Sequence, residues 1–167
     1  MKIIFQKISD WANLLAEMVG VILFVVLIFV IGAEVVARYV FNSSFSWSEE
    51  FGRMVFVWII FLGASIGFKR GAHMGLHFII GLASKKIKQM MSAATLFLSS
   101  VFFLFIIIEG IQVSIQMIPQ LTSAMQISVA WEYSAIPVGA LFMLIHVPAL
   151  LYQMGEVGAS NGVDSAV

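Results

Sequence analysis

The sequence predicts an all-α integral membrane protein: four transmembrane helices with an additional interfacial helix on the cytoplasmic side. Three observations predict this. Residues 18–33, 54–68, 89–108 and 133–155 contain no Asp, Glu, Lys or Arg. A charge near the bilayer centre costs roughly 2.5–3.5 kcal/mol on insertion scales, so charge-free stretches of this length belong in lipid. Of the 167 residues, 61% are hydrophobic and 11% charged, against about 25% charged in an average soluble domain. Finally, the polar breaks at 69–88 and 119–132 and the tail from Glu156 are too short to bury a core of their own. The chain therefore reads as one transmembrane domain over 1–155, followed by a polar tail over 156–167.

Spanning the hydrocarbon takes about 20 helical residues at 1.5 Å each. The first span is expected at about 14–38, because counting that distance from Leu14 reaches Glu34. Its apolar run is too long for a signal-peptide core and lacks a small-x-small exit, so it is expected to stay as a helix. The second apolar window has only 15 residues and reaches spanning length, at about 50–68, if Arg53 sits at the interface. Ser46 or Ser48 is positioned to cap this helix, with Glu49 and Glu50 in a first turn where the helix dipole favours negative charge. Next comes 71–84, which mixes Met74, Leu76, Phe78, Ile79, Ile80 and Leu82 with His73, His77 and glycines. It is too interrupted to span and too apolar for water, as an interfacial helix would be. The third and fourth spans are expected at about 89–110 and 132–154.

Lys and Arg set the orientation. Lys2, Lys7, Lys69, Arg70, Lys85, Lys86 and Lys88 all fall on one side of this arrangement, whereas loops 41–50 and 119–132 carry only Glu49, Glu50 and Glu132. The positive-inside rule then predicts that both termini are cytoplasmic.

Charges gather at the outer ends of the first two spans. Glu34 and Arg38 lie four apart, and Glu49 and Glu50 precede Arg53 by four and three residues. Such spacings put opposite charges on one helix face. Two readings fit: ion pairing that fixes the hairpin and its depth, with Tyr39, Phe45 and Trp47 as aromatic anchors, or a docking or ion-conducting site. Interfacial charge favours the first, because function is the default reading only for charges within the membrane. Glu109 and Glu132 read the same way at the ends of spans three and four.

His146 is the titratable group inside an apolar span. The expected role is a packed histidine bonded to a carbonyl freed by Pro148; a haem or proton role requires a partner at the same depth. His73 and His77 have the i, i+4 spacing of a metal pair, yet without a nearby carboxylate or thiolate they are expected to line the interfacial helix. In the second span, Gly63-Ala64-Ser65-Ile66-Gly67 forms a small-xxx-small face permitting close helix approach. The Phe, Met and Trp residues are spread too widely for one pocket and suit a lipid- or protein-facing surface. The chain has no Cys, which excludes disulfides, thiolate metal sites and a Cys nucleophile. Zero net charge argues against a nucleic-acid partner. No catalytic, metal or cofactor-binding residue is expected.

One stretch is specific. Arg38-Tyr39-Val40-Phe41-Asn42, then Ser46-Trp47-Ser48-Glu49-Glu50-Phe51-Gly52-Arg53 with Trp58, Phe61-Leu62-Gly63-Ala64 and Lys69-Arg70-Gly71-Ala72-His73 resemble the small membrane subunit, the DctQ-like Q subunit, of tripartite ATP-independent periplasmic (TRAP) transporters. The likeness is dense over 34–78 and continues as a four-helix pattern. The family often has an Asp four residues after the His, where this chain has His77. The resemblance implies a non-enzymatic part of a sodium-driven importer of organic acids such as dicarboxylates or sialic acids. It further implies two partners: a periplasmic binding protein that delivers substrate, and a large membrane subunit that carries the substrate and ion sites. Glu49, Glu50, Arg53, Trp47 and Trp58 would then be interface or structural residues. The residues themselves agree, because no polar groups converge at the midplane, where transporter sites normally show as broken helices. A respiratory anchor for haem or quinone would need paired histidines in the spans, and a channel would need polar residues along a helix.

Overall fold

The computed structural model describes residues 2–79 and 85–163. Over these residues the chain forms α1 (Lys2–Val40), α2 (Ser48–Ile79), α3 (Lys85–Gln116), a single turn α4 (Ala130–Tyr133) and α5 (Ala135–Val163). Four helical stretches are long and apolar enough to cross a membrane: Ile3–Val40, Ser48–Gly71, Met90–Gln116 and Ala130–Tyr152. The all-helical, four-span expectation therefore holds. No separate interfacial helix is present among the described residues. From 71 to 79 the chain continues α2 without a break, and residues 80–84 lie outside the described residues. The helical hydrogen-bond ladder outlasts the apolar window, because Gly71 and Gly75 weaken a helix without ending it.

Helix α1 stops at Asn42, which adopts a left-handed φ of 50°. Asn tolerates that region better than other side-chain-bearing residues, and the turn carries the Ser43 amide back onto the Ala37 carbonyl at 3.1 Å. Proline does not end α5: Pro148 lies inside the helix. Membrane helices tolerate this where neighbouring groups satisfy the freed backbone.

Helix α5 is the centre of the bundle, packing against α1, α2 and α3, while α1 also lies along α2. Of the most apolar stretch of α5, 44% is buried, against 6% for α1, so α1 forms an outer wall. The core is built largely of small and medium side chains, among them Ala16, Val55, Leu62, Leu96, Ala140, Val147 and Leu150. Without a hydrophobic drive between helices in lipid, close approach through small residues holds them together. The approaches occur at glycines other than those the sequence singled out. A Cβ on Gly139 of α5 would lie 2.6 Å from Phe61 Cβ of α2, and one on Gly110 of α3 would lie 2.9 Å from Pro137 Cδ. A Cβ added at Gly63 or Gly67 would meet nothing within 4 Å, and both residues face outward. The small-xxx-small motif therefore does not pack this bundle.

Candidate functional site

Polar groups concentrate in two belts, one at each end of the bundle. At the first, Glu34 projects from α1 and is only 6% exposed. Arg38 Nη2 donates to its carboxylate at 2.8 Å, Ser44 Oγ donates at 2.9 Å, and the Phe45 amide donates at 2.7 Å. One carboxylate thus organises the whole α1–α2 turn. The i, i+4 pair with Arg38 follows the spacing, whereas the two turn contacts depend on the left-handed residue that folds the chain back.

Glu50 and Arg53 do not pair along α2 as their spacing suggested. Both reach into the connection between α3 and α5. Glu50 accepts hydrogen bonds from the consecutive amides of Ala124 and Met125, both at 2.9 Å. Arg53 Nε donates to Glu132 of α4 at 3.2 Å. Trp58 Nε1 donates to the Trp131 carbonyl at 2.9 Å. The connection is shaped to receive them: Leu121 and Ser128 form an antiparallel bridge, and Gln126 takes a left-handed φ of 55°. The intervening turn presents its amides to a carboxylate, as backbone nests do for anions. Glu49 is exposed in the first turn of α2, and Trp47 stacks on Phe45 at 5.9 Å. Ser48 does not act as a side-chain cap; its hydroxyl donates to the Phe45 carbonyl at 2.8 Å.

The second belt lies at the other end of α2, about 30 Å from Glu50 at 1.5 Å per residue. Lys69 Nζ donates to Asp10 at 2.7 Å and to the Ser9 carbonyl at 3.3 Å, while Arg70 donates to Glu17. These pairs staple the start of α1 to α2. The separation of the belts matches a hydrocarbon core of about 30 Å.

His146 lies just inside the second belt and is fully buried. The expected carbonyl partner is corrected: Nδ1 lies 2.8 Å from Ser9 Oγ of α1, and Nε2 lies 3.5 Å from Ser65 Oγ of α2. Both serines are buried as well, so one imidazole ties three helices together. Flanked by hydroxyls, it offers no open face to a haem. Among the described residues, no group of three His, Asp or Glu side chains is arranged to hold a metal ion. His73 and His77 fall on α2, with side chains outside the described residues.

Spacing rules see only one helix at a time, which is why the contacts of Glu50, Arg53, Lys69 and His146 were missed. A signal existed for the second belt. Asp10, Asn13 and Glu17 share one face of α1, an unusual polar row at the start of an apolar helix. Between the belts the described helices run unbroken and carry no charged side chain near mid-depth. The polar groups there are hydroxyls such as Ser100 at the middle of α3, which donates to the Leu96 carbonyl of its own helix at 2.7 Å, and Glu109 is exposed seven residues before the end of that helix, not at the end where its span was expected to stop.

A family model described as the DctQ component of tripartite ATP-independent periplasmic transporters matches residues 27–154. The chain is 28% identical over 134 residues to the sialic acid TRAP transporter permease protein SiaT of Haemophilus influenzae (strain 86-028NP), covering 80% of this chain and 22% of that one. It is 34% identical over 58 residues to the C4-dicarboxylate TRAP transporter small permease protein DctQ of Vibrio cholerae, covering 35% and 25%. Against the sialic acid TRAP transporter small permease protein SiaQ of the same species, identity is 26% over 132 residues, covering 79% and 76%. The chain thus spans about a fifth of SiaT and a quarter of that DctQ protein.

Proposed function

Because the chain belongs to the DctQ family of TRAP transporter components, we propose that it is the small scaffolding permease of a sodium-driven importer of organic acids. A periplasmic binding protein delivers the acid, of dicarboxylate or sialic acid type, and a larger permease moves it. The chain itself performs no chemistry and carries no substrate. The observation that carries this reading is that the described helices run unbroken between two polar belts, with no charged side chain near mid-depth. A transporter's own site needs the opposite: broken helices whose ends and backbone groups meet substrate and ion at that depth. The match to SiaT supports the partnership, because there the segment similar to this chain occupies about a fifth of one permease polypeptide.

In this reading the Glu34–Glu50–Arg53–Glu132 belt faces the periplasm and both termini face the cytoplasm of a bacterial inner membrane. The Lys and Arg distribution supports that orientation. Glu34, Arg38, Trp47, Glu49, Glu50, Arg53 and Trp58 shape the periplasmic face, and Gly63 and Gly67 lie on a surface open to lipid or partner. Affinity purification of the tagged chain, co-expressed with the large permease of its own system, tests the partnership. A stable two-chain complex in mild detergent is expected. Recovery of the small chain alone, with the large permease folded in the same membranes, would refute the proposal.

A further inference from the structure

The outward surface of α3 changes character before the helix ends. Glu109, Gln112 and Gln116, at steps of three and four, fall on one side of the helix, and all three are exposed. Ser114 donates its hydroxyl to the Gly110 carbonyl at 2.7 Å, the way a small polar group is satisfied in lipid. A carboxylate has no such recourse, because it only accepts and the amides of a helix interior are already bonded. Glu109 nevertheless lies seven residues inside the end of α3 at Gln116, about 10 Å along the axis. A charge that far within hydrocarbon is strongly disfavoured, so lipid tails on this flank stop short of it.

At the other end of α3 the displacement has the same sense. The rings of Phe68 on α2 and Phe103 on α3 meet edge to face at 4.9 Å, which sets the level of one helix against the other. Phe68 precedes Lys69 of the second belt, so α3 from Leu98 back towards its start lies beyond that belt. Its surface there is apolar: Met90, Met91, Phe97 and Leu98 are between 46% and 73% exposed. Leu151 and Tyr152 of α5, past the His146 contact, are exposed as well. On α1, by contrast, Lys7 and Asp10 are exposed at the second belt, and Val35 and Val36 keep the surface apolar up to Arg38 at the first. Charge returns on α3 at Lys88, twenty-one residues before Glu109. That interval is about 32 Å long at 1.5 Å per residue, the thickness of a hydrocarbon core of about 30 Å. Helix α3 thus carries a complete apolar band of its own, offset from the band between Glu50 and Lys69 on α2.

We propose that the bilayer meets this chain obliquely: around α3 the hydrocarbon boundaries step towards the second belt by about 10 Å. Lipid tails cover α3 from Met90 to Ile108, while Glu109, Gln112 and Gln116 stand among headgroups and water. Lipid is favoured over a protein as the occupant of this flank because one displaced band of bilayer length accounts for both ends of the helix. A partner helix paired with Glu109 would leave the exposed Met90, Met91 and Leu98 beyond the second belt unexplained. Tilting of the bundle or bending of the leaflets, the responses to hydrophobic mismatch, supplies the step.

Nitroxide labels test the step. Single cysteines replace Met91, Leu98, Phe105 and Gln112 in this Cys-free chain. Steps of seven keep the four on one helix face, and all four are exposed, so the labels disturb no packing. The full chain is reconstituted in vesicles of phosphatidylethanolamine and phosphatidylglycerol. Oxygen, which concentrates in hydrocarbon, should relax the label at position 98 most strongly, because that residue lies midway between Lys88 and Glu109. A water-soluble nickel chelate should reach position 112 several-fold more readily than position 98. An oxygen maximum at 105 or 112, with the chelate reaching 98, would put the band level with the belts and overturn the step. Exclusion of both reagents at 112, with an immobilised spectrum, would show protein covering the row and overturn it equally. Either result leaves the scaffolding role standing.

Discussion

Replacing Gly139 by alanine should separate α2 from α5. The new Cβ would lie 2.6 Å from Phe61 Cβ and 3.1 and 3.2 Å from the Phe61 carbonyl oxygen and carbon. Optimal carbon contacts fall at about 3.5–4.0 Å, so the helices must part by roughly 1 Å. Two of the three obstructing atoms are backbone and cannot rotate away. Overpacking of this kind costs about 1–3 kcal/mol, and the gain from alanine's better helix propensity offsets about 1 kcal/mol. Contact at 2.6 Å, with backbone atoms behind it, puts the cost in the upper part of that range, about 2–3 kcal/mol, so the net loss is about 1–2 kcal/mol. For a chain of this size, each kcal/mol moves the melting temperature by about 2–4 °C, so Gly139→Ala should melt about 2–8 °C lower. Gly63→Ala and Gly67→Ala introduce a Cβ that meets nothing within 4 Å and should melt at or slightly above wild type. Tryptophan fluorescence of the purified chain in detergent during a thermal ramp reads all three variants. Gly139→Ala melting at the wild-type temperature, or Gly63→Ala falling as far, would show that the helices do not pack through Gly139.

Other perturbations address the polar contacts. His146→Leu should destabilise the chain by about 1–3 kcal/mol, because it strips two buried serine hydroxyls of their partner. In the same thermal assay, adding Ser9→Ala should cost less than it does alone. Glu50→Gln puts an amide group against one of the two backbone amides that the carboxylate accepts, so hydrogen exchange at Ala124 and Met125 should accelerate; unchanged exchange would show that Glu50 does not hold the loop. Arg53→Glu should speed thiol labelling of a cysteine at Ser123, and adding Glu132→Arg should restore slow labelling. In intact cells an impermeant reagent should label cysteines at Ser44 and Ser123 but not at Lys7; labelling at Lys7 alone would reverse the proposed orientation.

Much of the architecture was legible because bilayer physics acts on composition. Charge-free windows located all four spans, and the Glu34–Arg38 pair followed from helical spacing. What the sequence hid was inter-helix geometry. Glu50 and Arg53 look like a local pair, but their partners lie more than seventy residues away on a loop whose amides have no signature of their own. His146 next to Pro148 suggested a freed carbonyl, and two serines from other helices took that place. Gly63 and Gly67 carry the recognised spacing, yet Gly139 and Gly110, without it, make the close contacts. A glycine's role depends on what faces it, which no single-helix pattern records. The separate interfacial helix failed for a related reason: apolarity indicated where 71–79 prefers to sit, whereas continuity with α2 decided its form.

We propose that this chain scaffolds a transporter without carrying its cargo. Its most direct test is radiolabelled substrate uptake into proteoliposomes under an inward sodium gradient, using an organic acid that the system's own binding protein retains. With the large permease and the loaded binding protein present, uptake should require this chain and stop when it is omitted, and the chain reconstituted alone should transport nothing. Sodium-dependent uptake by this chain alone, or undiminished uptake without it, would contradict the claim.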